Sequence, residues 1–188
     1  MSNSRENVIT RRLRGKFGDQ VVFRTRNGKS FTANIPGKFK GTPGSAQVAA
    51  RDRFRLASLW ARAILANPEM AALYAARATN GRTPYVTALT DFLRPPRIAE
   101  IDCSGYHGHA GDEIRVSAFD DFRVKEVRVA ILAADGTVLE EGTCVPDEFG
   151  MLWLYKATTD VLTLDGVTAH AIATDHPGHQ GAGSVAAG

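Results

Sequence analysis

The sequence predicts an α+β protein. A basic arm, a β-hairpin and a three-helix unit occupy residues 1–96, and an antiparallel β-sandwich occupies residues 97–188. Three observations lead there. Asn27-Gly28 lies between two β-prone runs. Apolar residues recur at helical spacing up to residue 93 and alternate after residue 97. Pro95-Pro96 stands at the change, where two prolines cannot continue a helix and push the preceding residue toward extended backbone. Charge divides at the same place. Residues 1–96 hold 17 Lys and Arg against 5 Asp and Glu, a balance of +12; residues 97–188 hold 6 against 15, a balance of −9. The reading is of two oppositely charged parts joined by a stiff hinge, Arg94-Pro95-Pro96-Arg97.

Residues 1–16 carry Arg5, Arg11, Arg12, Arg14 and Lys16 against Glu6, the composition of a basic arm that orders on a partner. Val8 and Ile9 suit a short strand. In Val21–Arg26 and Lys29–Ile35, an Asn-Gly type I′ turn sets Arg26 opposite Lys29, Arg24 opposite Phe31 and Val22 opposite Ala33. One face of the ribbon is then cationic at its tip, with one aromatic among the charges. A lone hairpin is marginal in water, so it is expected to pack on the helices or on another chain.

Residues 36–41 form a loop, and a helix follows over Ala46–Ala66, which holds no Gly or Pro. Its expected apolar stripe is Leu56, Leu59, Trp60, Ala63 and Ile64, with Arg51, Arg55 and Arg62 on another side. Asn67-Pro68-Glu69 and Thr83-Pro84 each combine a capping side chain with proline at the first helical position. They predict helices from Pro68 to Ala78, burying Met70, Leu73 and Tyr74 in whole or part, and from Pro84 to the proline pair, with Tyr85, Leu89, Phe92 and Leu93 on one side. Trp60 reads as a core residue.

The second part predicts strands at Arg97–Cys103, Glu113–Phe119, Val124–Ala133, Thr137–Glu141, Met151–Thr158, Thr168–Thr174 and Gly183–Ala187. Residues 111–122 (GDEIRVSAFDDF), Val127-Arg128-Val129, Asp135-Gly136-Thr137-Val138 and Ala171-Ile172-Ala173-Thr174-Asp175 resemble bacterial immunoglobulin-like (Ig-like) repeats. That resemblance implies an Ig-like sandwich, in modules that generally adhere, space or assemble. The Cys-Trp-Cys spacing of antibody domains is missing. The front half, with Gly15-Lys16-Phe17-Gly18 and Arg26-Asn27-Gly28-Lys29, is similar to short uncharacterised bacterial proteins that open with a Gly-Lys-x-Gly hairpin, a similarity that brings no activity.

No apolar run approaches the roughly 20 residues needed to cross a bilayer. The polar start lacks an apolar signal region, so the expected location is the cytoplasm, a virion, or one reached by signal-independent export. Cys103 and Cys144 read as free, core-filling thiols. His107, His109, His176 and His179 invite a metal, but an Ig-like loop order sets the two pairs at opposite ends of the sandwich, so they read as exposed loop histidines. The acid pairs Asp120-Asp121, Glu140-Glu141 and Asp147-Glu148 are candidate calcium ligands, with solvated turns the plainer reading. Ser104 near His107 is not a triad, and no nucleotide, zinc-protease or nucleophile-elbow motif occurs. No catalytic residue, cofactor or metal is expected.

The expectation is therefore a non-enzymatic structural protein that self-associates, as a filament, virion or similar particle component. The residues expected to carry assembly or anion binding are Arg11, Arg12, Arg14, Lys16, Arg24, Arg26, Lys29, Phe31, Arg51 and Arg55. The expected partner is a second copy or another acidic protein surface, without membrane insertion. Two readings compete: nucleic-acid binding by the arm, hairpin and Arg51/Arg55 face, and carbohydrate or surface adhesion through the sandwich loops around Tyr106.

Overall fold

The computed structural model describes residues 13–26, 29–35, 37, 41–79 and 81–187, with Arg26 and Lys29 described by their backbone. Arg11, Arg12, the Val8-Ile9 strand and the Asn27-Gly28 turn lie outside these residues. Contacts divide the chain into two compact units, Met1–Val48 and Ala49–Gly188. The proline pair, expected to mark the boundary, lies inside the second unit.

The first unit is a three-stranded antiparallel sheet of β1 (Gly15–Phe17), β2 (Val21–Arg26) and β3 (Lys29–Asn34), in the order β1-β2-β3. The β2–β3 register is the expected one: Arg26 pairs with Lys29, Arg24 with Phe31 and Val22 with Ala33. β1 is an addition to the expected hairpin. It is reached through a turn in which Gly18 takes a positive φ of 59°, backbone that favours glycine.

The second unit carries three helices, α1 (Ser45–Ile64, begun in the first unit), α2 (Pro68–Arg77) and α3 (Pro84–Leu93). The caps are those the sequence signals. Asn67 Oδ1 accepts from the N–H groups of Glu69 and Met70, and Thr83 Oγ1 accepts from Val86 N–H. The stripe expected on α1 is rotated. Ala57 and Ala61 are buried, Trp60 and Ile64 pack partly against them, and Leu56, Leu59 and Ala63 face outward. On α2, Tyr74 is buried and Met70 half-buried, while Leu73 stays exposed. Trp60 is a core residue, with its ring 6.2 Å from Tyr74 and 5.7 Å from Phe92.

Eight strands follow: β4 (Arg97–Asp102), β5 (Glu113–Phe119), β6 (Val124–Leu132), β7 (Val138–Thr143), β8 (Val145–Pro146), β9 (Leu152–Lys156), β10 (Thr168–Asp175) and β11 (Gln180–Ala186). They form two antiparallel four-stranded sheets, β4-β5-β9-β8 and β11-β10-β6-β7, which make a β-sandwich. Alternation sets the inward face. Ile114, Val116 and Ala118 of β5, Val127, Val129 and Ile131 of β6, Trp153 and Tyr155 of β9, and Ala169, Ala171 and Ala173 of β10 form its buried core. Cys144 is buried beside them and Cys103 packs at the margin, both as free thiols. Burial pushes the Cys144 thiol up to about 12, which leaves it protonated and unreactive.

The linker at the proline pair is packed rather than hinge-like. Pro96 is buried, and β11 runs so close that a Cβ on Gly181 would stand 1.9 Å from the Pro96 carbonyl oxygen. The helices close over the adjoining end of the sandwich. Tyr74 stacks on Phe122 of the β5–β6 loop at 3.9 Å, and Phe92 meets His179 of the β10–β11 loop edge-on at 4.8 Å.

Candidate assembly surface

In the first unit, the register gathers the predicted cationic residues onto one face. Lys16 of β1 pairs with Val22, one step along β2 from Arg24, which pairs with Phe31. Directly opposed residues share a face, as do alternate residues of a strand. Lys16, Arg24 and Phe31 therefore lie together, and Phe31 is 49% exposed. Arg14 is exposed just before β1. Lys16 reaches Asp19 at 3.4 Å, an exposed pair of little energetic weight. Arg26 and Lys29 continue the ladder by backbone register.

In the second unit, Arg51 and Arg55 are exposed on α1, as is Arg62 about two turns beyond Arg55. Spacing of three and four residues puts these arginines in a stripe beside Leu56, Leu59 and Ala63. Leu56 is 56% and Leu59 is 53% exposed. The helix thus has two apolar faces, one buried through small alanines and one turned outward. The sequence reading treated them as a single buried stripe and missed the outer one. The missed signal was the Ala57/Ala61 pair, small residues that allow close helix approach.

The sandwich offers a second exposed apolar surface, of mixed charge. Around β8 and the turn into β9, Val145, Phe149, Met151 and Leu152 are exposed, Phe149 at 76%, beside Asp147 and Glu148. A cleft of about 450 Å³ opens there, lined by Phe149, Met151 and Trp153 and, on its far wall, Arg77, Arg123 and Lys125. One ion pair among the described residues links the helices to the sandwich, Arg94 with Asp121 at 3.0 Å. The arginines of α1 make none there. At the boundary defined by contacts, Met1–Val48 holds 10 basic and 2 acidic residues, a balance of +8, and Ala49–Gly188 holds 13 and 18, a balance of −5.

The acid pairs are more than solvated turns. One member of each holds the fold. Asp147 Oδ1 accepts from Met151 N–H and Leu152 N–H in its turn. Asp120 Oδ2 accepts from Phe122 N–H and Arg123 N–H. Glu140 is buried, and its oxygens accept from Tyr155, from the hydroxyl and N–H of Thr158, and from the hydroxyl and N–H of Thr159, at 2.6–3.3 Å. Burial favours the neutral form of Glu140, but these donors outweigh it and hold the carboxyl at about 2.

The histidine pairs lie at opposite ends. His107 and His109 donate backbone N–H groups to Asp112 Oδ2 in the β4–β5 loop, and these bonds hold the Asp112 carboxyl below its usual range. His176 and His179 sit at the other end, against Phe122 and Phe92. No group of three or more His, Cys, Asp or Glu among the described residues is arranged to hold a metal ion. No helix of these residues is long and apolar enough to cross a membrane.

No family model and no curated protein matches this chain. Among solved structures, CopC from Methylosinus trichosporium OB3b is similar over 47% of this chain and 87% of its own, at 13% identity and a TM-score of 0.35. An engineered protein is similar over 49% of this chain and 19% of its own, at 23% identity and a TM-score of 0.32. At these scores neither likeness assigns a function.

Proposed function

We propose that this chain is a non-enzymatic structural protein that assembles with copies of itself, as a filament, virion or similar particle component. The observation that carries the reading is the outer face of α1: Leu56 and Leu59, more than half exposed beside Arg51, Arg55 and Arg62. An exposed apolar stripe edged by charge is the composition of a contact surface. The exposed Val145, Phe149, Met151 and Leu152 beside Asp147 and Glu148 supply a counter-surface of matching chemistry. A basic stripe meeting a different patch on the next copy is a heterologous contact, which extends into open polymers when it does not close. The cationic hairpin face adds attraction of the same sign.

The strand order supports the Ig-like reading of the sandwich. β4-β5-β9-β8 facing β11-β10-β6-β7 follows the order ABED facing GFCC′. Modules of that kind commonly space or assemble. Light scattering and electron microscopy of the full chain in low and moderate salt test the proposal. Species larger than a monomer are expected at low salt, and a strict monomer at high concentration would reject it.

Nucleic-acid binding is the second reading, favoured by Phe31 exposed beside Arg24 on the face that also carries Lys16, a stacking surface next to phosphate-binding charges. Large species that disappear on nuclease treatment, with gel retardation that falls steeply with salt, would replace self-assembly by this reading.

A further inference from the structure

The junction of α2 and α3 with the sandwich encloses three carboxylates, Asp91 of α3, Asp120 of the β5–β6 loop and Asp175 of β10. Asp91 and Asp175 are fully buried. Each oxygen has a donor except two. Tyr74 donates its hydroxyl to Asp91 Oδ2 at 2.5 Å. Asp120 Oδ2 has the N–H groups of Phe122 and Arg123. Asp175 has His179, through the backbone N–H to Oδ1 at 2.6 Å and the ring Nδ1 at 3.2 Å from Oδ2. The remaining oxygens, Asp91 Oδ1 and Asp120 Oδ1, are both buried with no donor, and the two side chains lie within hydrogen-bonding reach of each other. Two bare carboxylate oxygens in an enclosed space repel, whereas one hydrogen between them satisfies both.

We propose that Asp91 Oδ1 carries a hydrogen and donates it to Asp120 Oδ1, and that this bond is a pH-dependent latch holding α2 and α3 on the end of the sandwich. With the hydrogen on Asp91 Oδ1, the bonds form one unbroken series. Tyr74 O–H donates to Asp91 Oδ2, Asp91 Oδ1–H donates to Asp120 Oδ1, and Asp120 Oδ2 accepts from Phe122 and Arg123. The series runs from α2 through α3 to the β5–β6 loop, inside a cage of Tyr74, Phe92, Phe122, His176 and His179. Loss of the proton from Asp91 breaks its middle bond and leaves both Oδ1 atoms without a donor.

The surroundings agree. Burial first, then Asp120 and Asp175, lift the Asp91 carboxyl to about 8 against the opposing hydrogen bond from Tyr74. Burial raises Asp175 as well, opposed by His179. Arg94 is taken by Asp121 on the exposed side, and Arg123 and Lys125 bear on His176. A carboxyl whose folded pKa exceeds its unfolded value contributes stability in full below the unfolded value and loses it as pH rises through the folded one. The window for Asp91 thus runs from the ordinary 3.8 to about 8. His176 has the opposite sign, since burial lowers it, so its effect ends near the ordinary 6.5. The diagnostic interval is pH 7 to 8.

The test is equilibrium unfolding of the full chain against pH, with infrared spectroscopy of the carboxyl region. The folded-to-unfolded ratio is expected to fall severalfold between pH 7 and 8, as release of one proton dictates. Asp91→Asn keeps an acceptor for Tyr74 and gives Asp120 a permanent donor, so it should fold and flatten that fall. The parent should show a protonated-carboxyl carbonyl band at pH 6 that fades by pH 9 and is missing in Asp91→Asn. A parent without the band, or an equal fall in the variant, overturns the latch. Stabilisation of the parent by a divalent cation with no band present would mean a cation fills the gap, and overturns it too. The infrared arm needs no variant, so the proposal stays testable should Asp91→Asn not fold.

Discussion

Glu140 shows how a single residue type can mislead in sequence and inform in structure. Beside Glu141 it reads as half of an exposed acidic turn, yet it is buried at the edge strand β7 with five donors on its two oxygens. Tyr155 arrives from β9, so the carboxylate ties the two sheets together. Its folded value of about 2 lies below the ordinary 4.5. A depressed carboxyl gives stability that is present above the unfolded value and is lost as pH falls through the folded one. Stability should therefore decline from pH 4.5 toward pH 2. Glu140→Gln replaces one accepting oxygen with an amide donor that faces the N–H of Thr158 or Thr159, and should cost about 1–3 kcal/mol at neutral pH. It should also flatten that acid decline, as read by urea unfolding at a series of pH values. A variant as stable as the parent at neutral pH would show that the five bonds contribute no net stability.

At the scale of elements, the parts legible in sequence are those fixed by local chemistry. Asn67-Pro68 and Thr83-Pro84 place two helix starts to the residue, because cap and proline act within one turn. The β2–β3 register, with Arg26 opposite Lys29, is the one that an Asn-Gly pair between two strands predicts. Alternation marks β5 and β6. What depends on distant partners was hidden. β1 and β8 are too short to show a period, and Pro146 in β8 is tolerated at a sheet edge. The phase of α1 was hidden because alanines lie on both sides of the helix and its two leucines lie on the outer one. Of the candidate surface, the charges were legible but the outer leucines were not. The fit of β11 over the proline pair was hidden too, since it depends on backbone approach. Gly181→Ala would put a methyl 1.9 Å from the Pro96 carbonyl oxygen, and backbone on both sides must shift to admit it. Overpacking of this kind costs about 1–3 kcal/mol or more. Thermal unfolding should show a clear drop for Gly181→Ala. An unchanged midpoint would mean the approach of β11 to Pro96 is looser than the structure has it.

Across the whole molecule, two kinds of force bear on the proposed assembly, and they separate experimentally. A basic unit at +8 and a unit at −5 attract over a distance set by salt, about 10 Å at 0.1 M and about 3 Å at 1 M. Such fields act chiefly on the rate of encounter. The outer leucines of α1 act only after contact, through apolar area removed from water, and so bear on the rate of separation. Arg51→Glu with Arg55→Glu should slow association several-fold at low salt and converge on the parent at high salt. Leu56→Ser with Leu59→Ser should weaken the assembly at every salt concentration, by roughly tenfold or more in dissociation constant, since each buried leucine is worth about 1.5–3 kcal/mol. Both pairs are exposed on α1, so unfolding midpoints should stay near the parent and serve as the control. Time-resolved light scattering in a salt series reads both rates. If the leucine pair leaves dissociation unchanged while the arginine pair slows encounter, the contact is electrostatic alone and α1 is not its apolar centre. If neither pair changes anything, the surface that joins copies lies elsewhere on the chain.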